Sequence, residues 1–297
     1  MTPTPPARGR FAPSPTGPLH LGSLTAALAS YLMAKSQHGQ WLIRIEDIDP
    51  PREITGMAEM QLKTLADFGL VPDEPVLYQS ERAAFYDAAL TKLLREDKAF
   101  YCSCSRKQLA DQGGIHRRCV TAADPARAAI RLRVADRTIA FTDGVYGSQS
   151  QNLAAETGDV VLRRADGFYA YQLAVVVDDA AQNITQVVRG ADLLASTPRQ
   201  IFLQQQLGLP TPAYCHIGLV CAPDGRKLSK SQWAADLDAE DRFNALCLAY
   251  GHLGQDARIL QRNLAPEANL ARALGGFDAS LLPALTVPEP DGSPDGH

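Results

Sequence analysis

Long apolar runs are missing from this 297-residue chain. Runs such as Leu173–Val177 fall far short of the roughly 20 residues a membrane-spanning helix needs. The opening Met1-Thr-Pro-Thr-Pro-Pro-Ala7 lacks the apolar centre of a signal peptide. Cysteine is sparse: six residues, unevenly spaced, do not suggest a disulfide framework in a chain of this length. An excess of positive charge is absent as well, since 29 Lys and Arg face 33 Asp and Glu for a net charge of −4. Blanket electrostatic attraction to nucleic acid or an anionic membrane is thereby excluded, whereas a local basic groove is not. A cytoplasmic, monomeric chain with reduced thiols and no membrane partner is expected.

What is present is a soluble globular composition, 45% hydrophobic, enough for a sizeable core and about two domains. The ends, residues 1–8 and 287–297, carry three prolines each and are expected to be disordered. Between them the first part alternates strand and helix. Arg8–Ala12 reads as a strand, Pro13–Pro18 as a turn, and a helix starts near Gly22 with Leu24, Ala27, Leu28, Tyr31 and Leu32 on one stripe. Trp41–Ile45 reads as a strand, and Met57–Phe68 and Arg82–Glu96 as helices. From Phe100 to Gly167 the text changes to a Gly-Gly pair, three of the cysteines and short β-like pieces such as Ala129–Val134, as an inserted α+β subdomain would. The alternation then returns. Leu173–Val177, ending in Asp178-Asp179, reads as a buried parallel strand, and Ile184–Val188 as another. Thr197-Pro-Arg-Gln200 reads as a capping box opening a helix at Pro198, and Asp238–Leu274 is helical. The fold class expected is α/β: a Rossmann-type parallel sheet in halves 9–99 and 168–236, split by the insertion 100–167 and followed by a short helical part, 237–286.

Two segments carry chemistry. Arg10-Phe-Ala-Pro-Ser-Pro-Thr-Gly-Pro-Leu-His-Leu-Gly-Ser23 is a strand, a Pro/Gly-shaped turn and a helix start with His20 and Gly22 beside it. Free N–H groups and the positive dipole end of a helix suit a phosphate. Gly22 lets a flat ligand approach the backbone, and His20 can donate to a phosphate oxygen. Gly225-Arg-Lys-Leu-Ser-Lys-Ser231 joins three cations and two hydroxyls in a loop that can close over a triphosphate and stabilise charge at a departing pyrophosphate. Taken singly, either segment also reads as a plain surface loop.

Together, in this order and separation, His20-Leu-Gly-Ser23 and Lys227-Leu-Ser-Lys-Ser231 resemble the "HIGH" and "KMSKS" signatures of class I aminoacyl-tRNA synthetases. Arg10–Gly17, Ile43-Arg-Ile-Glu-Asp-Ile-Asp49 and Val188-Arg-Gly-Ala-Asp192 resemble the glutamyl branch. The stretch after Lys230 leaves no room for that branch's helical anticodon-binding region. With Ser23–Tyr31 and Ile48-Asp-Pro-Pro-Arg52, this is similar to the branch's truncated paralogues, the glutamyl-queuosine tRNA(Asp) synthetases. The resemblance implies a ligase that activates L-glutamate with ATP and Mg²⁺ and passes it to queuosine in the anticodon loop of tRNA(Asp). A truncated enzyme charging the 3′ end of tRNA(Glu), and a non-catalytic tRNA- or protein-binding paralogue, are the alternatives.

The resemblance places L-glutamate on Arg10, Phe11, Ala12, Pro13, Ser14, Glu46, Tyr171 and Arg189. It places ATP on His20, Gly22 and Lys230, with His20, Gly22, Lys227 and Lys230 as the catalytic set. The residue types agree: Arg10 and Arg189 can fork onto a carboxylate, Glu46 can pair with the ammonium, and Tyr171 offers one hydroxyl. Glu46, Asp47 and Asp49 follow an apolar strand, as carboxylates at the ligand-binding edge of a sheet do, although a solvated acidic turn would look alike. Cys102-Ser-Cys104 and His116-Arg-Arg-Cys119 offer three thiolates and an imidazole, the donor set of a tetrahedral zinc, or else free buried cysteines. In the family a tyrosine stands where His116 stands. The shorter gap to Cys119 leaves the fourth ligand open.

Overall fold

The computed structural model describes residues 6–110, 113–121, 124–125, 127–219 and 242–284. Lys227, Lys230 and the rest of the Gly225–Ser231 segment lie outside the described residues, as do the two chain ends. In chain order the first elements are β1 (Arg8–Phe11), α1 (Leu21–Lys35), β2 (Gln40–Ile45), α2 (Met57–Asp67), β3 (Leu77–Tyr78), α3 (Ala83–Arg95), β4 (Ala99–Cys102) and α4 (Arg106–Ala110). Next come β5 (Ala129–Leu132), β6 (Thr138–Asp143), β7 (Gly147–Asn152), α5 (Leu153–Glu156) and β8 (Val160–Arg163). The chain continues with α6 (Tyr171–Ala181), β9 (Gln186–Gly190), α7 (Thr197–Leu207) and β10 (Ala213–Ile217), then α8 (Arg242–His252) and α9 (Pro266–Gly275). Among the described residues no helix is long and apolar enough to cross a membrane.

β1, β2 and β3 pair in parallel, with Arg10 opposite Leu42 and Ile45 opposite Tyr78. β9 and β10 also pair in parallel, and β10 meets β6 at Tyr214 and Asp143, from which β7 returns antiparallel. The two sheets join where β1 lies against β9. There Thr185 N donates to Arg8 O at 3.0 Å, and Arg8 N donates to Thr185 Oγ1 at 2.8 Å. The spatial order is therefore β3-β2-β1-β9-β10-β6-β7. At β1 and β9 the connections lead to opposite sides of the sheet, the topological switch at which α/β proteins bind ligands beyond the strands' carboxyl ends. The segment 100–167 is divided: β4, β5 and β8 form a separate antiparallel sheet, while the β6–β7 hairpin extends the second parallel sheet.

α1 is fixed by its composition. Leu and Ala, strong helix formers, fill it, and His20 caps its N-terminus. Its buried residues, Leu24, Leu28 and Leu32 among them, are sandwiched between Trp41 and Ile43 of β2 and Tyr250 and Ala273 of α8 and α9. A helix covered on both sides is apolar nearly all round, as this one is.

The same rule corrects one expectation. Leu173–Val177 is not a strand but the centre of α6, whose Leu173, Ala174, Val175 and Val176 are buried against Tyr86 and Leu90 of α3 and Phe202 of α7. A short apolar run cannot distinguish a buried strand from a fully buried helix, and three consecutive valines favour the wrong choice. The strand follows instead at Gln186–Gly190, two residues later than the start expected from Ile184. The capping box at Thr197 is also absent. A 3₁₀ turn over Ala191–Ser196 runs directly into α7, and the Thr197 hydroxyl accepts from Arg189 instead of from the helix backbone.

Candidate active site

Parallel pairing brings the carboxyl ends of β1, β2 and β9 to one edge of the joined sheet, where α/β proteins place a ligand crevice. Arg10 comes from β1, Glu46 from the residue after β2, Arg189 from β9 and Tyr171 from the first turn of α6. Glu46 N donates to Pro13 O at 2.9 Å, which ties the Pro13–Pro18 turn to the same edge. Arg10, Glu46 and Arg189 are all buried.

The two arginines are held from behind. Arg10 directs Nε and Nη2 to the Asp179 carboxylate at 3.0 and 3.4 Å. Arg44 donates from Nη1 to the same Asp179 at 2.8 Å and to Gln182 Oε1 at 2.9 Å, and its Nη2 lies 3.3 Å from Glu46 Oε1. Burial works against the Asp179 carboxylate, but Arg10 and Arg44 outweigh it and hold its pKa below the ordinary value. For Glu46 burial prevails over the attraction of Arg44 and Arg10, so its pKa is raised. A cationic group arriving beside Glu46 would favour its charged form. Arg189 gives Nε to His216 Nε2 at 3.0 Å and Nη2 to Thr197 Oγ1 at 2.8 Å, while its Nη1 faces the Tyr171 hydroxyl at 3.4 Å. Burial raises the Tyr171 pKa, so its hydroxyl stays protonated and able to donate.

His20 is the N-cap of α1, and its Nδ1 accepts from Ser23 N at 3.3 Å. A neutral ring in that pose carries its proton on Nε2. The turn before it is braced by Gln61 of α2, whose Nε2 donates to Ser14 O at 3.0 Å and Gly17 O at 2.7 Å. Asp47 and Asp49 serve the surrounding loops. Asp47 accepts from Ser80 N and Oγ at 2.9 and 2.6 Å, and Asp49 pairs with Arg52 and Arg164.

Away from the crevice, Cys102, Cys104, His116 and Cys119 turn one ligand atom each to a common point, all within 4.8 Å of one another. His116 Nε2 is 3.3 Å from Cys102 Sγ and 3.6 Å from Cys119 Sγ. Its Nδ1 meets Asp159 Oδ2 at 2.7 Å, the outer contact that commonly orients a metal-bound imidazole. Burial and the neighbouring Cys102 and Cys104 push the Cys119 thiol up to about 12. Burial also opposes ionisation of Cys104, but N–H donors led by Val120, 3.3 Å from its sulfur, bring its pKa below the ordinary value. Thiols that hinder one another's ionisation at such close range fit a site that a cation would neutralise. Gly158 permits the closure, because with φ +67° a Cβ there would fall 2.3 Å from His116 O.

Residues 6–125 and 116–244 match the family of class I tRNA synthetases (E and Q), catalytic domain. A glutamyl-Q tRNA(Asp) synthetase of Xanthomonas axonopodis pv. citri is 57% identical over 282 residues, 95% of this chain and 94% of the relative. One from Burkholderia mallei is 51% identical over 292 residues, 93% and 95% of the two chains. The chain belongs to the glutamyl-Q tRNA(Asp) synthetase family. Among solved structures, a glutamate tRNA ligase from Elizabethkingia meningosepticum in complex with its amino acid superposes with a TM-score of 0.77 at 26% identity, covering 94% of this chain and 66% of that one.

In this class I synthetase, a ligase, the residues that support the crevice are less visible in the sequence than those that line it. Asp179, Arg44, Gln182, Gln61, Thr197, His216 and Asp143 each hold a candidate site residue or its partner; Arg44 lies inside Ile43–Asp49 and Thr197 opens Thr197–Gln200, but neither segment reveals the supporting role, and the other five stand in no motif. The available signal was local: buried acidic residues after an apolar run, here Asp178-Asp179, need cationic partners. Asp178 accordingly takes Arg82 Nε at 2.9 Å, the Tyr86 hydroxyl at 2.6 Å and Gln79 Nε2 at 2.9 Å.

Proposed function

We propose that this synthetase condenses L-glutamate with ATP to glutamyl-adenylate and transfers the glutamyl group to queuosine in tRNA(Asp). The carrying observation is that Arg10, Glu46 and Arg189 all lie close enough to the Tyr171 hydroxyl for their charges to act on it, at the sheet's switch point. Two guanidiniums suit the carboxylates of glutamate, one carboxylate suits its ammonium, and one hydroxyl fixes its orientation. Phe11, Ala12, Pro13 and Ser14, which follow Arg10 into the turn, would line the glutamate site beside it. The names of the relatives support glutamate and queuosine-bearing tRNA(Asp) as substrates.

The glutamate α-carboxylate attacks the α-phosphorus of ATP in line, a P–O bond forms, and pyrophosphate leaves with the electrons of the broken bond. Catalysis of such a displacement is positioning and charge stabilisation. His20 and Gly22 at the start of α1 receive the phosphates, and Lys227 and Lys230 complete the charge on the departing side, with Mg²⁺ held mainly by phosphates and water. A queuosine nucleophile then displaces AMP from the adenylate. The test compares tRNA(Asp) carrying queuosine with the same tRNA carrying guanine, using radiolabelled glutamate and ATP. Label on the queuosine form alone is expected. Equal labelling, or label lost when the 3′ ribose is oxidised beforehand, overturns the acceptor and favours charging of a 3′ end.

Cys102, Cys104, Cys119 and His116 would hold a Zn²⁺ with a structural role, since they lie apart from Arg10, Glu46 and Arg189. Protein purified without chelator is expected to contain about one zinc per chain. Cys102→Ser should lose it and leave the metal region more sensitive to proteolysis. A zinc-free sample whose three thiols titrate as free overturns this assignment.

A further inference from the structure

Arg189 does not face the crevice unaided. It stands opposite His216 in the β9–β10 ladder, so the strand register sets the two side chains next to one another. Behind His216, Asp143 at the end of β6 accepts from its Nδ1, the two atoms being 2.6 Å apart. The Asp143 carboxylate is itself fixed by Val145 N and Tyr146 N, both 3.0 Å from Oδ1, and by His216 N at 3.2 Å from Oδ2. The Tyr214 ring backs the row, parallel to His216 at 6.2 Å and 5.4 Å from the Arg189 guanidinium. Asp143 and His216 side chains are fully buried.

Chemistry fixes the direction of each bond. A carboxylate only accepts, so His216 Nδ1 carries the proton. Nε2 is then a lone pair, and a lone pair is what the Arg189 Nε–H requires at 3.0 Å. Thr197 Oγ1, 3.2 Å from the same nitrogen and 2.8 Å from Arg189 Nη2, closes the remaining side. We infer that Asp143 and His216 are positioning residues: Asp143 holds the Nδ1–H tautomer of His216, whose Nε2 fixes the plane of Arg189 and turns Nη1 to Tyr171 and the glutamate carboxylate. The inference rests on the proposed binding of glutamate by Arg189. It is supported by the His216 pKa, which burial lowers below the ordinary value despite the Asp143 contact, with Arg189 adding to the effect. A neutral ring is the acceptor the row needs.

Three variants separate positioning from bulk. In Asp143→Asn the amide oxygen stays on the Val145 and Tyr146 N–H groups. The amide NH₂ then meets His216 Nδ1 and drives the proton to Nε2, against the Arg189 N–H. In His216→Leu the acceptor is lost. In His216→Gln the amide oxygen and nitrogen keep the one-atom-bridged spacing of the two ring nitrogens, so one accepts from Arg189 while the other donates to Asp143. In glutamate-dependent pyrophosphate exchange, Asp143→Asn and His216→Leu are expected to raise the glutamate KM about tenfold or more while leaving the ATP KM within about twofold, and His216→Gln to restore most of the loss. Nitrogen NMR of the imidazole is expected to show Nδ1–H in the parent protein and Nε2–H in Asp143→Asn.

An Nε2–H tautomer in the parent protein overturns the row without touching the function reading. An unchanged glutamate KM in Asp143→Asn, with its tautomer switched, overturns positioning. Equal rises in both KM values, with no rescue by glutamine, reduce the row to general packing and overturn it as well. A parent enzyme that exchanges no pyrophosphate with glutamate overturns the function reading and, with it, the substrate assigned to Arg189.

Discussion

Arg189→Lys is expected to lower kcat/KM for glutamate activation by about 10²–10³-fold, or about 3–4 kcal/mol, almost entirely through the glutamate KM. The reason is geometric. The guanidinium of Arg189 serves several partners at once: His216 through Nε, Thr197 through Nη2 and the Tyr171 side through Nη1. An ammonium is a point charge on a flexible stem. It can approach a carboxylate or stay with Thr197, but it cannot hold a plane between them. Truncating one side of a buried charged hydrogen-bonded pair ordinarily costs about 2–5 kcal/mol. Because lysine keeps the charge, solubility and net electrostatics are preserved, and a matched melting temperature would show that the fold is intact. ATP binding should be unaffected, since His20 and the start of α1 are untouched. A variant that retains its glutamate KM and loses only turnover would remove Arg189 from the glutamate site and place it with the phosphates.

Motifs were legible where one segment carries both the chemistry and the turn that presents it. Arg10–Ser23 contains a strand end, a turn and a helix cap in fourteen consecutive residues, so His20 could be placed at a helix start, and His20 is the N-cap of α1. The four metal-type ligands were legible for a similar reason: two short clusters, each with its own turn, come together at one point. Supports were not legible, because they arrive from far along the chain. Asp143 lies in the stretch that reads as an insertion, and the pairing of Tyr214 with Asp143 brings β6 into the sheet beside His216. His216 alone in an apolar strand reads as an ordinary core histidine. Leu173–Val177 failed for a different reason. Its pattern is apolar on every face, so neither the 2-residue nor the 3.6-residue period is expressed, and tertiary burial decides the element. Asp178 and Asp179 carry the one local sign of that burial, because buried acids require cationic partners, and Arg10, Arg44 and Arg82 gather around this helix end.

Asp179→Leu is expected to destabilise the protein by about 3–5 kcal/mol, a large share of the roughly 5–15 kcal/mol that holds a typical fold. Arg44 is 0% exposed and Arg10 3% exposed in their side chains, and both turn to this one carboxylate. Removing it leaves two guanidiniums in a buried site with Glu46 as the neighbouring acid, itself already disfavoured as a charge by burial. Deleting one charge of the pair is worse than deleting both, so Arg44→Met combined with Asp179→Leu should recover part of the loss. Urea denaturation at neutral pH measures all three proteins, and a loss below about 1 kcal/mol in Asp179→Leu would mean that water or Gln182 compensates the arginines. Acid gives an independent check through Asp179→Asn, which keeps the shape. The Asp179 pKa lies below its ordinary 3.8, so its stabilisation is full above that value and disappears as pH falls through the folded-state pKa. The stability gap between parent and Asp179→Asn should therefore stay constant from neutral pH down to about pH 5 and narrow only in stronger acid. A gap independent of pH throughout the acid range would show that the carboxylate's charge contributes nothing, and that shape alone holds Arg10 and Arg44 in place.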